Sequence, residues 1–258
     1  MEKNEFQDQV IAITAGAGGI GLEIARHLHQ YGAKLAICDV DAAALAAVSA
    51  EFPDALFAQL DVSDETAVKD FFSSIVANFG RLDALINNAG IAGPTGGVEE
   101  ISVQEFRICL EIGLVGQFNC AHHAVPLLKS VGGGSIICMS SAAGKHGYAY
   151  RTPYSATKFG VIGLAQSLAK ELGPHNIRVN AILPGLVEGP RMTKVIEDRA
   201  EQEGVPYEKM KETYLQNVSL RKMVTAQDVA ATIGFLLSGA GKNISGQNLA
   251  VDGNVETL

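Results

Sequence analysis

The chain has 258 residues, 47% hydrophobic and 19% charged, a balance that excludes an intrinsically disordered protein and leaves room for a sizeable core. With 28 acidic residues against 20 Lys and Arg the net charge is −8, which excludes the basic footprint of a nucleic-acid or anionic-membrane binder. Its four cysteines, Cys38, Cys109, Cys120 and Cys138, lie in apolar stretches without a Cys-x-x-Cys pair, so reduced buried thiols, no metal and a cytoplasmic setting are expected.

Short β-prone runs alternate with longer amphipathic segments. Val10 to Thr14 is the first strand, and a glycine-rich stretch leads into a helix from about Ile20 to Tyr31, ended by Gly32. Lys34 to Cys38 is a second strand, stopped by Asp39, and Asp41 starts an Ala-rich helix to about Glu51. A third strand is predicted over 55–60, with Ser63 as the N-cap of a helix that Gly80 closes. Ala84 to Asn87 is a fourth strand, and one long helix is predicted over 102–129. Strands over 135–139 and 177–183 flank a helix over 154–172. The charged segment 188–221 reads as a lid with short helical patches. A helix over 225–237 and a strand over 248–251 end the pattern. No apolar run reaches the ~18 residues of a membrane span, and the polar start, 1–9, does not read as a secretory leader. The expected architecture is α/β: one domain, 1–258, with a doubly wound parallel sheet of about seven strands and helices on both faces.

The stretch Thr14-Ala15-Gly16-Ala17-Gly18-Gly19-Ile20-Gly21 joins the first strand to the first helix. Glycines there allow a tight turn and close backbone approach to a pyrophosphate, and the helix N-terminus offers N–H groups to the anion. Asp39, at the end of the second strand, is placed to bond ribose hydroxyls and to repel a 2′-phosphate, which favours NAD over NADP. Tyr154 and Lys158 stand on one helix face, where an ammonium favours the phenolate and tunes the tyrosine for proton transfer. Ser141, after the fifth strand, can bond the same substrate oxygen.

With these residues the chain resembles the short-chain dehydrogenase/reductase family from about Val10 to Gly253. The glycine turn resembles that family's Thr-Gly-x-x-x-Gly-x-Gly, Asp61-Val62 its adenine-contacting pair, and Asn87-Asn88-Ala89-Gly90 its Asn-Asn-Ala-Gly. Pro184-Gly185 resembles its Pro-Gly, with Val187 at the nicotinamide-contacting position. The resemblance implies that Ser141 orients the carbonyl, Tyr154 is the general acid/base, and Lys158 lowers the Tyr154 pKa while holding the nicotinamide ribose. Gly16, Gly18, Ile20, Asp39, Asp61, Val62, Asn88, Gly90 and Val187 are the expected cofactor contacts, and NAD the expected cofactor. Three positions depart from the pattern. Ala15 replaces the first glycine, Gly113 a catalytic Asn, and Gly189 a Thr that touches the cofactor. A methyl at position 15 is tolerable at negative φ and costs about 1 kcal/mol or more at positive φ. Asn119 lies in the wrong helical phase to substitute for the missing Asn.

The substrate side is expected from His146, Tyr148, Tyr150, Arg151, Glu188, Arg191 and Met192, where an arginine suits a carboxylate and tyrosines suit polyol hydroxyls. The expected substrate is a small polar secondary alcohol or ketone: a sugar, polyol or hydroxy acid. A 3-oxoacyl reductase of the same family and a redox-silent NAD-binding sensor are the alternatives; a lyase or epimerase with the same Tyr and Lys is a third. The resemblance also implies a homo-oligomer, a tetramer or dimer, for which Leu110, Leu114, Phe118, Phe159, Ile162 and Leu164, and the C-terminal segment 248–258, are interface candidates. His122 and His123 are expected at an interface or in solvent.

Overall fold

A computed structural model describes residues 4–255. Seven parallel strands form one sheet in the order β3-β2-β1-β4-β5-β6-β7: β1 Val10–Thr14, β2 Lys34–Asp39, β3 Leu56–Gln59, β4 Ala84–Asn87, β5 Gly134–Met139, β6 Ile177–Pro184 and β7 Asn248–Val251. Every residue of β1 and β4 is buried, as strands covered on both faces require. On one face, α3 Glu65–Phe79, α5 Gly116–Ser130 and α6 Thr152–Leu172 bury Phe71, Phe72, Cys120 and Val161. On the other, α1 Gly19–Gln30, α2 Ala42–Val48 and α9 Ala226–Leu237 bury Ile24, Leu28, Leu45, Val229 and Ile233. Each such aliphatic side chain contributes about 1.5–3 kcal/mol on leaving water.

The strand order turns back on itself between β1 and β4, so the chain runs away from both strand ends and leaves a crevice above them. Thr14 and Asn88 join the two ends. The Thr14 hydroxyl accepts from the N–H groups of Asn88 and Ala89, and the Asn88 amide donates to the carbonyls of Thr14 and Ala15.

Four sequence expectations are corrected. The cap of α3 is Asp64, whose carboxylate accepts from the Ala67 N–H, while Ser63 bonds Asp61 instead. The regular helix of the Ala-rich segment ends at Val48 and tightens into a 3₁₀ turn over Ser49–Glu51. The long helix 102–129 is two helices, α4 Val103–Leu110 and α5, joined by a π turn over Glu111–Val115. Gly113 and Gly116 let that turn press inward: a Cβ on Gly113 would lie 2.5 Å from Thr157 Cγ2, and one on Gly116 2.5 Å from Val62 Cγ2. The segment 188–221 holds two regular helices, α7 Pro190–Glu203 and α8 Tyr207–Gln216, not short patches. Ile196 and Ala200 of α7 and Met210 and Tyr214 of α8 build a third small core with Ala142 and Leu186, over the carboxyl ends of the strands. Among the described residues no helix is long and apolar enough to cross a membrane. The four cysteines are buried and unpaired. The last three residues of the C-terminal interface candidate lie outside the described residues.

Candidate active site

A cleft of about 920 Å³ opens above β1 and β4, between the glycine turn, the start of α6 and the start of α7. Its floor begins at Gly18, which caps α1 without a side-chain bond to the first-turn N–H groups. A Cβ at Gly18 or Gly19 would meet nothing within 4 Å, so the backbone there faces open space. Gly21 is different: its Cβ would fall 2.1 Å from the Ala15 carbonyl oxygen and 2.7 Å from Asn88 Nδ2, so only glycine fits under the turn. Two residues of this turn take left-handed backbone, Ala15 at φ 49° and Gly19 at φ 51°. The methyl group of Ala15 therefore sits where φ is positive, the strained case.

Asp39 stands at the edge of this floor. Its Oδ2 accepts from the Ala17 N–H at 3.1 Å and its Oδ1 from the Asp41 N–H at 3.1 Å, which pins the carboxylate beside the turn. The pinned carboxylate, the unbonded helix start and the open floor fit the ribose and pyrophosphate of a dinucleotide. Arg26, also in the lining, is held by Glu51 and Glu23 at 2.8 and 2.6 Å and has no free charge for a further phosphate.

Tyr154 occupies the first turn of α6 and Lys158 the next turn on the same face, both in the cleft wall. Two bonds dock this helix to the end of β5. Lys158 Nζ donates to the Met139 carbonyl at 2.8 Å, and the Ser140 hydroxyl donates to the Lys158 carbonyl at 2.7 Å. Ser140 is thereby consumed in structure, which leaves Ser141 to face the cleft, its Oγ accepting from the Ala143 N–H at 3.2 Å. Burial alone would raise the Tyr154 pKa, but the Lys158 ammonium, Arg191, the Ser141 hydroxyl and Arg151 outweigh it and hold the phenol below the ordinary tyrosine value. Burial lowers the Lys158 pKa in turn. A phenol poised in this way, at the wall of a cleft, can give or take a proton at lower pH than an ordinary tyrosine.

Gly18, Ile20, Asp39, Asn88, Gly90, Ser141, Tyr154, Lys158 and Val187 all line the cleft, as do Tyr148, Arg151, Glu188, Arg191 and Met192 of the substrate candidates. Five expected residues do not. Gly16 lies beneath the turn, where a Cβ would come 2.8 Å from Ile37 Cγ2. Asp61 turns to Ser63, and Val62 is buried beside Gly116. Asn119 donates to the Val62 carbonyl at 3.1 Å, which explains its phase on the helix. His146 is outside the lining, and the Tyr150 ring stacks under Arg199 at 4.3 Å. Sequence reasoning missed Glu23, Arg26 and Gln227, which join in the wall where Gln227 donates to Glu23 at 2.8 Å. They come from helices some two hundred positions apart, and nothing local marks them. It also missed Tyr214 of α8, whose hydroxyl bonds that of Tyr148 across the lid. His122 and His123 lie away from the cleft, close to Glu65.

Comparison with known proteins matches residues 15–255 to the family described as enoyl-(acyl carrier protein) reductase. The trans-4-hydroxycyclohexanecarboxylate dehydrogenase of Sinomonas cyclohexanicum is 38% identical over 256 residues, covering 95% of this chain and 92% of that protein. The 2-dehydro-3-deoxy-L-rhamnonate dehydrogenase (NAD(+)) of Sphingomonas sp. (strain SKA58) is 35% identical over 226 residues, covering 88% and 86%. The crystal structure of an NAD+-bound xylitol dehydrogenase superposes with a TM-score of 0.93 at 28% identity, covering 96% of this chain and 99% of that one.

Proposed function

The chain belongs to the short-chain dehydrogenase/reductase family, and from that premise we propose that it moves a hydride between NAD and a small polar secondary alcohol or ketone. The observation that carries this reading is the Tyr154 phenol, held below its ordinary pKa by Lys158 and its neighbours in the wall of a cleft built for a dinucleotide. The two sequence relatives named above act, by their names, on a hydroxy acid and a sugar acid, and the solved neighbour on a polyol, which supports the substrate class.

In this reading the first-turn N–H groups of α1 and the open floor at Gly18 and Gly19 hold the pyrophosphate, and Asp39 bonds the adenosine ribose. Asn88, Gly90 and Val187 border the nicotinamide half, and Lys158 reaches its ribose. Asp61 and Val62 follow Gln59, which pairs with Asp39 in the sheet, and are the adenine contacts of this reading although they lie outside the lining. The bound nicotinamide supplies the hydride acceptor or donor. Ser141 donates a hydrogen bond to the substrate oxygen and holds it against Tyr154. In oxidation the Tyr154 phenolate takes the hydroxyl proton; in reduction the phenol returns it to the carbonyl oxygen. The Lys158 ammonium stabilises the phenolate in both directions. The pinned Asp39 carboxylate, with Arg26 already paired, supports NAD over NADP.

Segment 188–221 acts as the lid, and the whole chain as one domain. The exposed Phe118 of α5 and Phe159 of α6, with Ile108 of α4, support self-association into a dimer or tetramer. Four unpaired cysteines support a cytoplasmic setting.

The test is an assay at 340 nm with NAD and NADP run separately against polyols, sugars, hydroxy acids and simple secondary alcohols. Reduction of NAD by one class, with NADP at least tenfold poorer, is the expected result. Turnover with NADP alone overturns the Asp39 argument. NAD binding with no turnover across the panel overturns the enzyme reading in favour of a redox-silent NAD-binding protein.

A further inference from the structure

Three arginines of this chain hold carboxylates: Arg26 with Glu23 and Glu51, Arg81 with Asp83, and Arg199 with Glu203. Two others, Arg151 and Arg191, stand in the wall of the catalytic cleft and hold none. Among the described residues no acidic side chain lies within 4.0 Å of either.

Arg151 is the more telling. It is 4% exposed, and its Nε is sealed from solvent without a hydrogen-bond partner. Its Nη2 donates to the Ala92 carbonyl at 2.7 Å, and its guanidinium lies 4.9 Å from the Tyr154 ring centroid and 5.5 Å from that of Tyr148. Arg191 approaches the same loop, donating to the Gly90 carbonyl at 3.1 Å. The two guanidinium groups thus flank segment 90–92 beside the tyrosine. A buried guanidinium without a counter-charge is strongly unfavourable, and neutral carbonyls and aromatic faces offset only part of that cost. The acids that share the lining do not supply the charge: Glu23 is bound to Arg26, Asp39 to the glycine turn, and Glu188 to neither arginine.

We propose that the missing anion is the substrate's own carboxylate, so that the alcohol or ketone acted on at Tyr154 is a hydroxy or oxo acid held by Arg151 and Arg191. A planar carboxylate matches the guanidinium fork, and its capture beside Tyr154 would place the carbinol carbon at the tyrosine. The inference rests on the reaction proposed above, and the experiment separates the two.

The full chain is assayed with NAD on trans-4-hydroxycyclohexanecarboxylate and on lactate, each against its own amide, which keeps the shape and removes the charge. The expected result is a kcat/KM for at least one acid at least about 100-fold above its amide, with most of the difference in KM. Arg191→Gln, on the exposed arginine, should lower that acid-to-amide ratio at least about tenfold. Arg151→Gln should do the same, and Arg151→Lys should restore part of the ratio, which a packing role alone would not do. Should the buried Arg151→Gln variant fail to fold, Arg191→Gln carries the test. Equal turnover of acid and amide overturns the inference and leaves the dehydrogenase reading standing. Where neither acid nor amide is turned over, thermal unfolding of the NAD-loaded protein decides: stabilisation by an acid and not by its amide upholds the anion site without the reaction, and equal stabilisation or none overturns it.

Discussion

Gly113 and Thr157 occupy one another's space. A Cβ on Gly113 would stand 2.5 Å from the Thr157 methyl carbon, and that methyl cannot swing away because the Thr157 hydroxyl is held by the Pro153 carbonyl at 2.8 Å. The space that a side chain on the π turn would take is filled here by a methyl from the facing helix. Gly113→Ala should therefore destabilise the fold by about 1–3 kcal/mol through overpacking. In a Thr157→Ser background, which removes the methyl and keeps the hydroxyl, the loss should fall below about 1 kcal/mol. Urea unfolding of the four proteins measures the coupling; strictly additive losses would show that the two residues do not compete.

Ala15 is held at φ 49°, where an alanine side chain crowds its own carbonyl. Ala15→Gly removes that strain and loses some of it again to the freer unfolded chain. The expected net is a gain of about 0.5–1 kcal/mol, read as a higher urea midpoint at unchanged slope. A loss of stability would mean that the turn relaxes around the methyl.

The direction of the Tyr154 shift fixes the sign of the pH dependence. Oxidation needs the phenolate, so its kcat/KM should rise with pH through an apparent pKa below the ordinary tyrosine value of about 10. Reduction needs the phenol, so its rate should fall through the same value. Lys158→Met removes the nearest ammonium and leaves burial unopposed by it, so the apparent pKa should move up. A profile that stays in place in that variant would assign the titration to another group.

Tyr154→Phe deletes the oxygen that exchanges a proton in the proposed mechanism and leaves Asp39, the glycine turn and Lys158 in place. Turnover should fall by about 10²–10⁴-fold. Dissociation of the cofactor, followed by fluorescence of the reduced nicotinamide, should change little. Near-normal turnover would remove Tyr154 from the mechanism.

The thiols offer a check on packing alone. Burial pushes Cys120 and Cys138 up to about 12 and Cys38 well above the ordinary thiol value. Cys109 is 1% exposed, against Thr157. In the folded protein at pH 8 none of the four should react with a thiol reagent on the minutes timescale, and all four should react in denaturant. Fast reaction of any one would locate an opening of the fold at that residue.

The alternation of β-branched runs with amphipathic stretches determined the strands, their parallel pairing and the doubly wound class, because both signals are local and periodic. The residues of the proposed proton-transfer site were legible for a related reason: Tyr154 and Lys158 are neighbours on one helix, and the glycine turn and Asp39 sit at strand ends that the pattern itself locates. What lay outside local pattern needed the tertiary structure. The sign of φ at Ala15, the π turn at Gly113 and the packing of Val62 against Gly116 depend on backbones brought together across many residues. So does the selection among the loop residues, where Tyr148 and Arg191 reach the cleft and His146 does not. Sequence could nominate Arg151 and Arg191, but whether an arginine has an acidic partner is a property of space. Only the folded chain leaves these two, beside Tyr154, without one.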